Sequence, residues 1–446
     1  MAFARSRQAL AVTGVLGLAL GVAACGTGND KKSDKAGSAE CAAYEKYEGH
    51  DGKKVTIYSS IREIEDERLQ QSWKEFEDCT GIKIDHEGSG EFEAQLPVRV
   101  DGGNAPDLAF IPQPGLLKRF VDSGKLKPAG ADTKAMAEQN YSPDWLKYST
   151  VNGQFYGAPL GSNVKSFVWY SPKTFKEKGW SVPTTWQELI DLSDKIAGSG
   201  TKPWCAGIES QDATGWPATD WIEDVLLRTG GPEVYDKWTT HEIPFNDPQV
   251  ATAVNQAGTI LKNEKYMNGG FGGVKSIATT AFQEAGVPIT TGKCAMHRQA
   301  SFYANNWPEG TKVAEDGDVF AFYFPAIDPA KGKPVLGGGE FVAAFADRPE
   351  VQAVQTYLAS GEFANSRAKI GDWVSANKKL DLNNVPNPVD KLSVGILQDE
   401  KTVFRFDGSD LMPAAVGAGT FWKGMVAWIN GKDTTSVLND IEGSWK

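Results

Sequence analysis

Fourteen of the 446 residues in this chain are tryptophan, an unusually high number. An indole presents a large, flat, apolar face and one polar edge, so it can form a wall against which a ligand stacks. We expect most of these rings to lie in the core and a few to line a site. The chain has 57 Asp and Glu against 46 Lys and Arg, a net charge of −11. Nucleic acid is therefore not an expected partner, because binding phosphates requires a basic surface.

Short motifs for catalysis are missing from the sequence. It has no G-x-S-x-G nucleophile elbow, no H-E-x-x-H zinc motif, no G-x-x-x-x-G-K-[ST] loop and no G-x-G-x-x-G turn. A glycosidase needs only two suitably separated carboxylates and carries no short motif, so that class of enzyme stays open. Nothing in the sequence points positively to a chemical reaction.

The elements that must position a site begin with a regular alternation of strands and helices. Strands are predicted at 55–58, 82–85 and 107–111, and the helix between the first two ends at Gly81. This β-α-β-α-β order implies a parallel sheet wrapped by helices. Pro97 lies within the second helical stretch, so that helix must start late or kink there.

The rest of the chain continues as α/β. Thr185 and Glu188 have the spacing of a capping box, which predicts a helix running to Gly198. Further strands and helices are predicted at 154–160, 166–170, 250–261, 319–324 and 350–358. There is no internal repeat, and more than about 380 ordered residues must divide into more than one lobe.

The N-terminus has the pattern of an export signal. Arg5 and Arg7 precede an apolar run over 9–24, which is too short for the ~20 residues that span a bilayer core. Small residues directly before Cys25 resemble the bacterial lipobox, which predicts cleavage after residue 24 and a lipidated Cys25. An ordinary signal peptide with an incidental cysteine is the alternative. Residues 26–40 contain no apolar side chain larger than Ala, so a flexible tether should follow.

In an exported protein the other cysteines lie in an oxidising compartment, where disulfides form. Cys41, Cys79, Cys205 and Cys294 are an even number in an oxidising compartment and allow three pairings. A zinc site is the alternative, but no pair has C-x-x-C spacing and the four histidines are isolated from one another. We expect two disulfides and no metal.

Several segments together resemble a known family, the extracellular solute-binding proteins (family 1) of carbohydrate ABC transporters. The matching segments are 104–108, 156–159, 169–171, 175–179, 183–189 and 293–296. The similarity extends from about residue 53 to the C-terminus. Segments 87–95, 110–115, 215–221, 297–301 and 410–424 more narrowly resemble the α-glucoside-binding branch, from which Pro97, Cys41 and Cys79 depart.

The resemblance implies a periplasmic-binding-protein-like α/β fold, with two lobes joined by three crossing hinge segments around a central cleft. The crossings are expected near Gly161, Pro325 and Trp373. After the signal peptide (1–24) and the tether (25–52), the N-terminal lobe would comprise 53–162 and 333–375, and the C-terminal lobe 163–332 and 376–446. Pairing Cys41 with Cys79 and Cys205 with Cys294 is favoured, because each pair then stays within one lobe.

A sugar site needs aromatic platforms for the C–H faces of the rings and bidentate groups for the hydroxyls. Trp216 is a candidate platform, and a core position is an equally good interpretation; Trp422 is a candidate by resemblance, whereas Trp221 is expected in the core. The remaining candidates are polar side chains that could bond hydroxyls, namely Glu63, Glu91, Gln113, Asp220, Arg298, Gln299, Glu340 and Asp410.

Four of these polar side chains have competing interpretations. Glu63 and Glu91 could instead place a favourable charge at a helix N-terminus, worth about 0.3–1 kcal/mol. Arg298 could hold an ion pair between strands. Glu340 follows three glycines, so it could belong to a hinge rather than face the cleft.

The resulting prediction is a monomeric receptor, anchored by lipid at the extracytoplasmic face of a bacterial membrane. It would capture a sugar, an α-glucoside di- or oligosaccharide, by hinge closure and deliver it to the transmembrane subunits of an ABC permease. It would not be an enzyme, would need no cofactor, and would touch the membrane only through its anchor. A secreted glycosidase and a cell-wall adhesion module are the alternatives.

Overall fold

The secondary structure is mixed α/β, as the sequence predicts. A computed structural model describes residues 39–399 and 401–445. The predicted signal peptide and the lipidation site Cys25 lie outside the described residues. None of the helices in these ranges combines the length and the apolarity that crossing a bilayer requires.

The strands are β1 (Lys54–Ser59), β2 (Lys83–Gly88), β3 (Leu108–Ile111), β4 (Thr150–Val151), β5 (Gln154–Phe155), β6 (Gly157–Val164), β7 (Phe167–Tyr170), β8 (Lys202–Cys205), β9 (Cys294–Arg298), β10 (Phe320–Tyr323), β11 (Lys333–Ala344) and β12 (Thr402–Phe406). The helices are α1 (Glu63–Ser72), α2 (Lys74–Thr80), α3 (Phe92–Asp101), α4 (Pro114–Asp122), α5 (Ala131–Asn140), α6 (Pro143–Leu146), α7 (Pro172–Lys178), α8 (Trp186–Gly198), α9 (Trp216–Thr229), α10 (Pro232–Thr239), α11 (Pro248–Leu261), α12 (Pro349–Leu358), α13 (Gly361–Ile370), α14 (Pro388–Gln398), α15 (Gly408–Leu411), α16 (Trp422–Ile429) and α17 (Thr434–Glu442).

One sheet has the order β12-β11-β3-β1-β2, and β6 pairs with β11. Its strands β1, β2 and β3 belong to the first lobe, whereas β12 pairs with the 333–337 end of β11. β1 is parallel to both β2 and β3, with Val55 opposite Ile84 and Ile57 opposite Leu108. This confirms the predicted β-α-β-α-β unit, because parallel neighbours need helical crossovers. Apolar clusters cover both faces of the sheet, one containing Tyr58 and the other Ile57.

The second lobe is built on a separate sheet with the order β10-β7-β9-β8. Its largest apolar cluster buries five of the indoles, those of Trp180, Trp204, Trp221, Trp238 and Trp428. A disulfide joins Cys205 to Cys294, with the Cα atoms 5.9 Å apart. A second disulfide joins Cys41 to Cys79, with the Cα atoms 5.4 Å apart. These are the two pairs that the sequence favoured.

The crossing predicted near Gly161 lies on β6, beside the segment that contains the crossing predicted near Trp373. β6 passes between the lobes at Gly161, and the amide of Ser162 donates to the carbonyl of Val374 across 2.8 Å. The third connection, predicted near Pro325, is misplaced. Pro325 stays with the second lobe, because the buried guanidinium of Arg228 donates to its carbonyl across 3.1 Å.

β11 itself makes this remaining crossing. Leu336 belongs to the core of the second lobe and Phe341 to the core of the first, so the strand changes lobe at the glycine run 337–339. A Cβ on Gly339 would overlap the carbonyl oxygen of Gly161. Glycine therefore lets two crossing strands approach closely.

Two local predictions from the sequence can be compared with the structure. Helix α3 begins at Phe92 and continues through Pro97, which excludes the late start and leaves a kink at Pro97 as the remaining alternative. Residues 39–47 form a 3₁₀ helix whose Tyr44 and Tyr47 pack against Phe76, at ring-centroid distances of 6.0 and 5.5 Å. The packed body therefore begins by residue 39 rather than at the predicted residue 53. The Cys41–Cys79 disulfide and buried tyrosines account for the difference.

Candidate functional site

A cavity of about 500 Å³ lies in the cleft between the two lobes, within the range of small-molecule sites. Loops after β1 and β3 line it from the first lobe, and the start of α9 lines it from the second. The crossing segments complete the lining with residues 161–163, 338–340 and 372–374. The ends of β1 and β3 follow the rule that open α/β sheets bind ligands at the carboxyl edge of their strands.

The second lobe contributes an aromatic wall. Trp216, the first residue of α9, is half-buried, and its ring centroid lies 5.0 Å from that of Phe282 and 6.0 Å from that of Phe302. All three rings line the cavity, which favours the interpretation of Trp216 as a platform over a core position. Trp422 also lines the cavity but is only 3% exposed, and its Nε1 donates to the Ser409 hydroxyl across 3.2 Å.

The expected core position of Trp221 is correct. It is 3% exposed and packs against Trp204 and Phe324 at centroid distances of 5.3 and 5.6 Å. Trp216 and Trp221 differ by five positions on α9, which places them on different sides of one helix. The direction of each ring is thus set by helical geometry.

A buried cation forms the floor of the cleft. Lys165 Nζ bonds Asp220 Oδ1 across 3.0 Å and also bonds Asp407. Burial by itself would raise the pKa of Asp407, but Lys165 and the hydrogen bonds from Asp220 and Ser409 lower it to about 2. Burial raises the pKa of Asp220, although the positive charge of Lys165 acts to lower it. Asp407 is therefore the ionised partner of the lysine.

A second layer of charges lies behind this floor. Arg298 bonds Asp224 across 3.0 Å and approaches Asp220 at 3.7 Å, and Asp224 in turn pairs with Arg228. The oxygens of Glu223 accept the amide N–H groups of residues 408 and 409, across 2.7 and 3.0 Å. These bonds fix the turn between β12 and α15, which carries Asp410 into the cleft.

Carboxylate oxygens of Asp220, Glu223 and Asp407 lie within 4.8 Å of one another, the spacing of a metal site. The ammonium group of Lys165 already bonds two of these carboxylates, and the third accepts two backbone amides. The donor set thus has its own cation and does not fit a metal ion well.

The first lobe presents an amide opposite this acidic floor. Gln113 precedes α4, is 5% exposed, and its Nε2 donates to Glu93 Oε1 across 3.0 Å. Its Oε1 is buried and has no hydrogen-bond partner among the described residues, so one acceptor of this amide is unsatisfied. Asp410 also lines the cavity, and burial together with the charge of Asp407 raises its pKa. A protonated Asp410 could donate a hydrogen bond.

Glu340 lies where the crossing segments meet. A Cβ on Gly161 would lie 2.9 Å from both Glu340 Oε2 and Trp373 Nε1. Burial, followed by the charge of Glu65, raises the pKa of Glu340 to about 7. Its side chain also lines the cavity. Glu340 therefore faces the cleft and lies where the lobes are connected, so the cleft and hinge interpretations are compatible.

The two walls of the cleft touch each other. Arg68 on α1 donates to Asn305 Oδ1 across 2.5 Å and pairs with Asp372 in the third crossing segment. Six described non-glycine residues have a left-handed backbone, and three of them, Glu63, Gln211 and Asp372, line this cavity. Such strain is retained where surrounding structure enforces it, and it concentrates at functional sites.

Comparison with known proteins agrees with this architecture. Residues 62–379 match the family described as bacterial extracellular solute-binding proteins. The chain belongs to this family. The Osmoprotective compounds-binding protein GgtB of Synechocystis sp. is 42% identical over 398 residues, 89% of this chain and 93% of the relative. The Alpha-glucosides-binding periplasmic protein AglE of Rhizobium meliloti is 37% identical over 410 residues, 89% of this chain and 88% of the relative.

Solved structures share the fold of this solute-binding protein at low sequence identity. The bacterial solute receptor AcbH superposes with a TM-score of 0.75 at 20% identity, over 88% of this chain and 98% of the other. Maltose-bound MalE3 of T. maritima superposes with a TM-score of 0.68 at 16% identity, over 87% and 98%. These likenesses concern the fold alone.

Six of the ten sequence-predicted site residues of this solute-binding protein line its cleft. They are Glu63, Gln113, Trp216, Glu340, Asp410 and Trp422. The other four do not line it. Asp220, Arg298 and Gln299 are at most 3% exposed, because ion pairs and backbone contacts hold them behind the cleft. Glu91 is exposed at the start of α3, as the helix-terminus interpretation requires.

Sequence reasoning missed several residues that line the cleft. They are Arg62, Glu65, Glu93, Lys165, Gln211, Phe282, Phe302, Asn305 and Asp372. One signal was present: Lys165 interrupts a run of small and apolar residues between two predicted strands. The others come from loops and helix starts whose arrangement no local pattern reports.

Proposed function

We propose that this solute-binding protein is the substrate-binding component of an ABC importer of sugars, and that its ligand is an α-glucoside of two or more rings. The observation that carries the proposal is the composition of the cleft. An aromatic wall, headed by Trp216, shares one cavity with the polar groups of Gln113 and Asp410. The name of the relative AglE, an alpha-glucosides-binding protein, supports the choice of ligand class.

The chemistry of a pyranose matches this arrangement. Its axial C–H groups form apolar faces that stack on an indole, and its hydroxyls radiate from the ring edge. An amide both donates and accepts hydrogen bonds, and a carboxyl group accepts them and also donates one when it is protonated. A cavity of about 500 Å³ is in the range that holds a small oligosaccharide.

Binding would act through hinge closure. A ligand that contacts both walls has a higher affinity for the closed arrangement and shifts the population toward it. The lobes that close would be 53–162 with 333–375 and 163–332 with 376–446, with two adjustments: the first lobe would include 39–52, and β11 would change lobe at 337–339. Closed lobes would dock on the transmembrane subunits of the permease. The chain would act as a monomer, held at the extracytoplasmic face of the membrane by lipid on Cys25.

A thermal-shift screen of the purified protein tests the ligand class. Maltose, trehalose, sucrose and raffinose are the probes, and cellobiose, which has a β-linkage, is the matched control. A ligand at 100 times its dissociation constant adds about 2.7 kcal/mol of stability, so a clear rise in melting temperature is expected. No shift with any α-glucoside, or an equal shift with cellobiose, would refute the proposed specificity.

Glycoside hydrolysis is the second candidate, because one observation favours it. Glu340 has a pKa raised to about 7, mainly by burial, as a general acid requires, and other carboxylates line the same cavity. Incubating the protein with the same sugars and measuring released glucose distinguishes the two functions. Turnover would overturn the proposal that the protein releases its ligand unaltered.

A further inference from the structure

Three side chains beneath the cleft wall form a hydrogen-bonded chain. His86 on β2 places Nε2 2.8 Å from the hydroxyl of Ser59, the last residue of β1, and Nδ1 2.6 Å from Asp66 Oδ1 on α1. The order Ser–His–Asp is that of a hydrolytic triad. Ser59 is however fully buried and does not line the cavity, so it cannot attack a substrate.

The hydrogen bonds of this chain have a defined direction. A carboxylate only accepts, so the proton of neutral His86 lies on Nδ1 and faces Asp66. Nε2 is then an acceptor for the Ser59 hydroxyl. The Ser59 oxygen accepts in turn from the backbone N–H of Ile61, across 3.0 Å. The chain therefore ends on the backbone of the loop after β1.

That loop forms part of the cleft wall. Ser60, Ile61, Arg62 and Glu63 all line the cavity, and Glu63 has a left-handed backbone with φ 59°. A Cβ on Gly88 would overlap the carbonyl oxygen of Ile61, so β2 holds the loop by close backbone approach as well. Ile61 therefore donates its N–H to Ser59, and its carbonyl lies close against the backbone of Gly88.

The His86 ring is held rigidly. It stacks on Phe110 at a centroid distance of 5.9 Å, lies edge-on to Trp73 at 6.2 Å, and its side chain is 0% exposed. The charged groups that face it are Asp66, Asp85 and Glu87. Burial lowers the pKa of His86, although these carboxylates act to raise it. The imidazole stays neutral at physiological pH.

We propose that Ser59, His86 and Asp66 are positioning residues, which hold the 60–63 loop in the conformation that contacts the ligand. This inference rests on the proposed function in that its affinity test needs a sugar that binds. A strained Glu63 backbone requires such support, because an exposed loop would otherwise relax to ordinary backbone angles.

The affinity test compares matched variants at a temperature well below their melting points. The probe is whichever of maltose, trehalose and sucrose stabilises the wild type, and calorimetry measures the dissociation constant. Ser59→Ala and His86→Phe should each raise it about tenfold, because the loop loses its anchor. Asp66→Asn keeps an acceptor for Nδ1–H and should stay within about twofold of wild type.

A core variant separates positioning from stability. Val55→Ala, at the far end of β1, should lower the melting temperature without changing the dissociation constant, since Val55 is fully buried away from the loop. A wild-type dissociation constant in both Ser59→Ala and His86→Phe would overturn the proposal. An equal loss of affinity in Val55→Ala would also overturn it.

A readout without ligand keeps the two proposals separate. Amide hydrogen exchange of the Ile61 N–H should accelerate in Ser59→Ala and His86→Phe relative to wild type and Val55→Ala. Nitrogen NMR should show the Nδ1–H tautomer of His86. If no sugar binds the wild type, the proposed function fails, and unchanged Ile61 exchange in Ser59→Ala would then refute the positioning role independently.

Discussion

The Nζ of Lys165 lies 5.1 Å from the ring centroid of Trp216. The same ammonium group bonds Asp220 and Asp407 in the cleft floor. One cation therefore connects the aromatic wall to the acidic network and occupies part of the surface around the indole. A ligand ring must stack on the part of the Trp216 ring that the lysine, Phe282 and Phe302 leave uncovered, and this restricts the orientation of the ligand.

Replacing Trp216 with Ala should raise the dissociation constant for a bound sugar about 10- to 100-fold, as removal of a central aromatic contact does. The ligand-free melting temperature should change little, because the ring is half-buried at the cleft surface. Trp216→Phe is the control and should recover part of the affinity. Calorimetry and thermal melts measure both quantities; a large fall in the ligand-free melting temperature would assign the ring to the core.

Replacing Lys165 with Met should lower the free energy of unfolding by about 3–5 kcal/mol, because Asp220 and Asp407 would remain buried without their cation. Urea denaturation measures the loss. The double variant Lys165→Met/Asp407→Asn should be less destabilised than the single variant. Lys173→Met, which removes an exposed pair with Asp318, is the control and should be near neutral. Equal losses of unfolding free energy in the Lys165 and Lys173 variants would contradict the proposal that Lys165 neutralises the buried carboxylates of the cleft floor.

The melting temperature should fall as pH rises from about 4.5 to about 7. Burial raises the pKa of Glu340 from 4.5 to about 7 and that of Asp390 to about 7. Between these values the folded protein binds more protons than the unfolded chain, so its stability decreases with pH. Glu340→Gln should flatten this dependence, whereas Glu177→Gln, at an exposed position, should leave it unchanged. An unaltered slope in Glu340→Gln would show that this carboxyl does not titrate in the range.

Asn305→Ala should open the ligand-free protein. Arg68 bonds Asn305 across the cleft, so losing that bond removes one contact that holds the two walls together. Small-angle scattering should show a larger radius of gyration, and the sugar dissociation constant should rise about two- to tenfold as the binding-competent population falls. Asn306→Ala is the neighbouring control for the scattering. An unchanged radius of gyration in Asn305→Ala would show that the Arg68–Asn305 hydrogen bond does not help to hold the lobes closed.

The sequence by itself determined the local elements and the fold class. Helix α8 starts at the predicted capping box, with Thr185 accepting from Glu188, and Gly81 ends α2 with a left-handed backbone. Such signals are readable because hydrogen bonds between residues three or four positions apart decide them. Apolar periodicity likewise placed β1, β2 and β3 in one parallel sheet. The family resemblance then supplied the expectation of two lobes.

Only the tertiary structure decided which polar side chains reach the cleft. Asp220, Arg298 and Asp410 look alike as candidates, yet the first two are buried in ion pairs and only Asp410 lines the cavity. Lys165 meets Asp407, 242 positions away, and Arg68 meets Asn305, 237 positions away. A side chain's burial and partners depend on how distant elements pack, because charge pairing and desolvation act through space rather than along the chain.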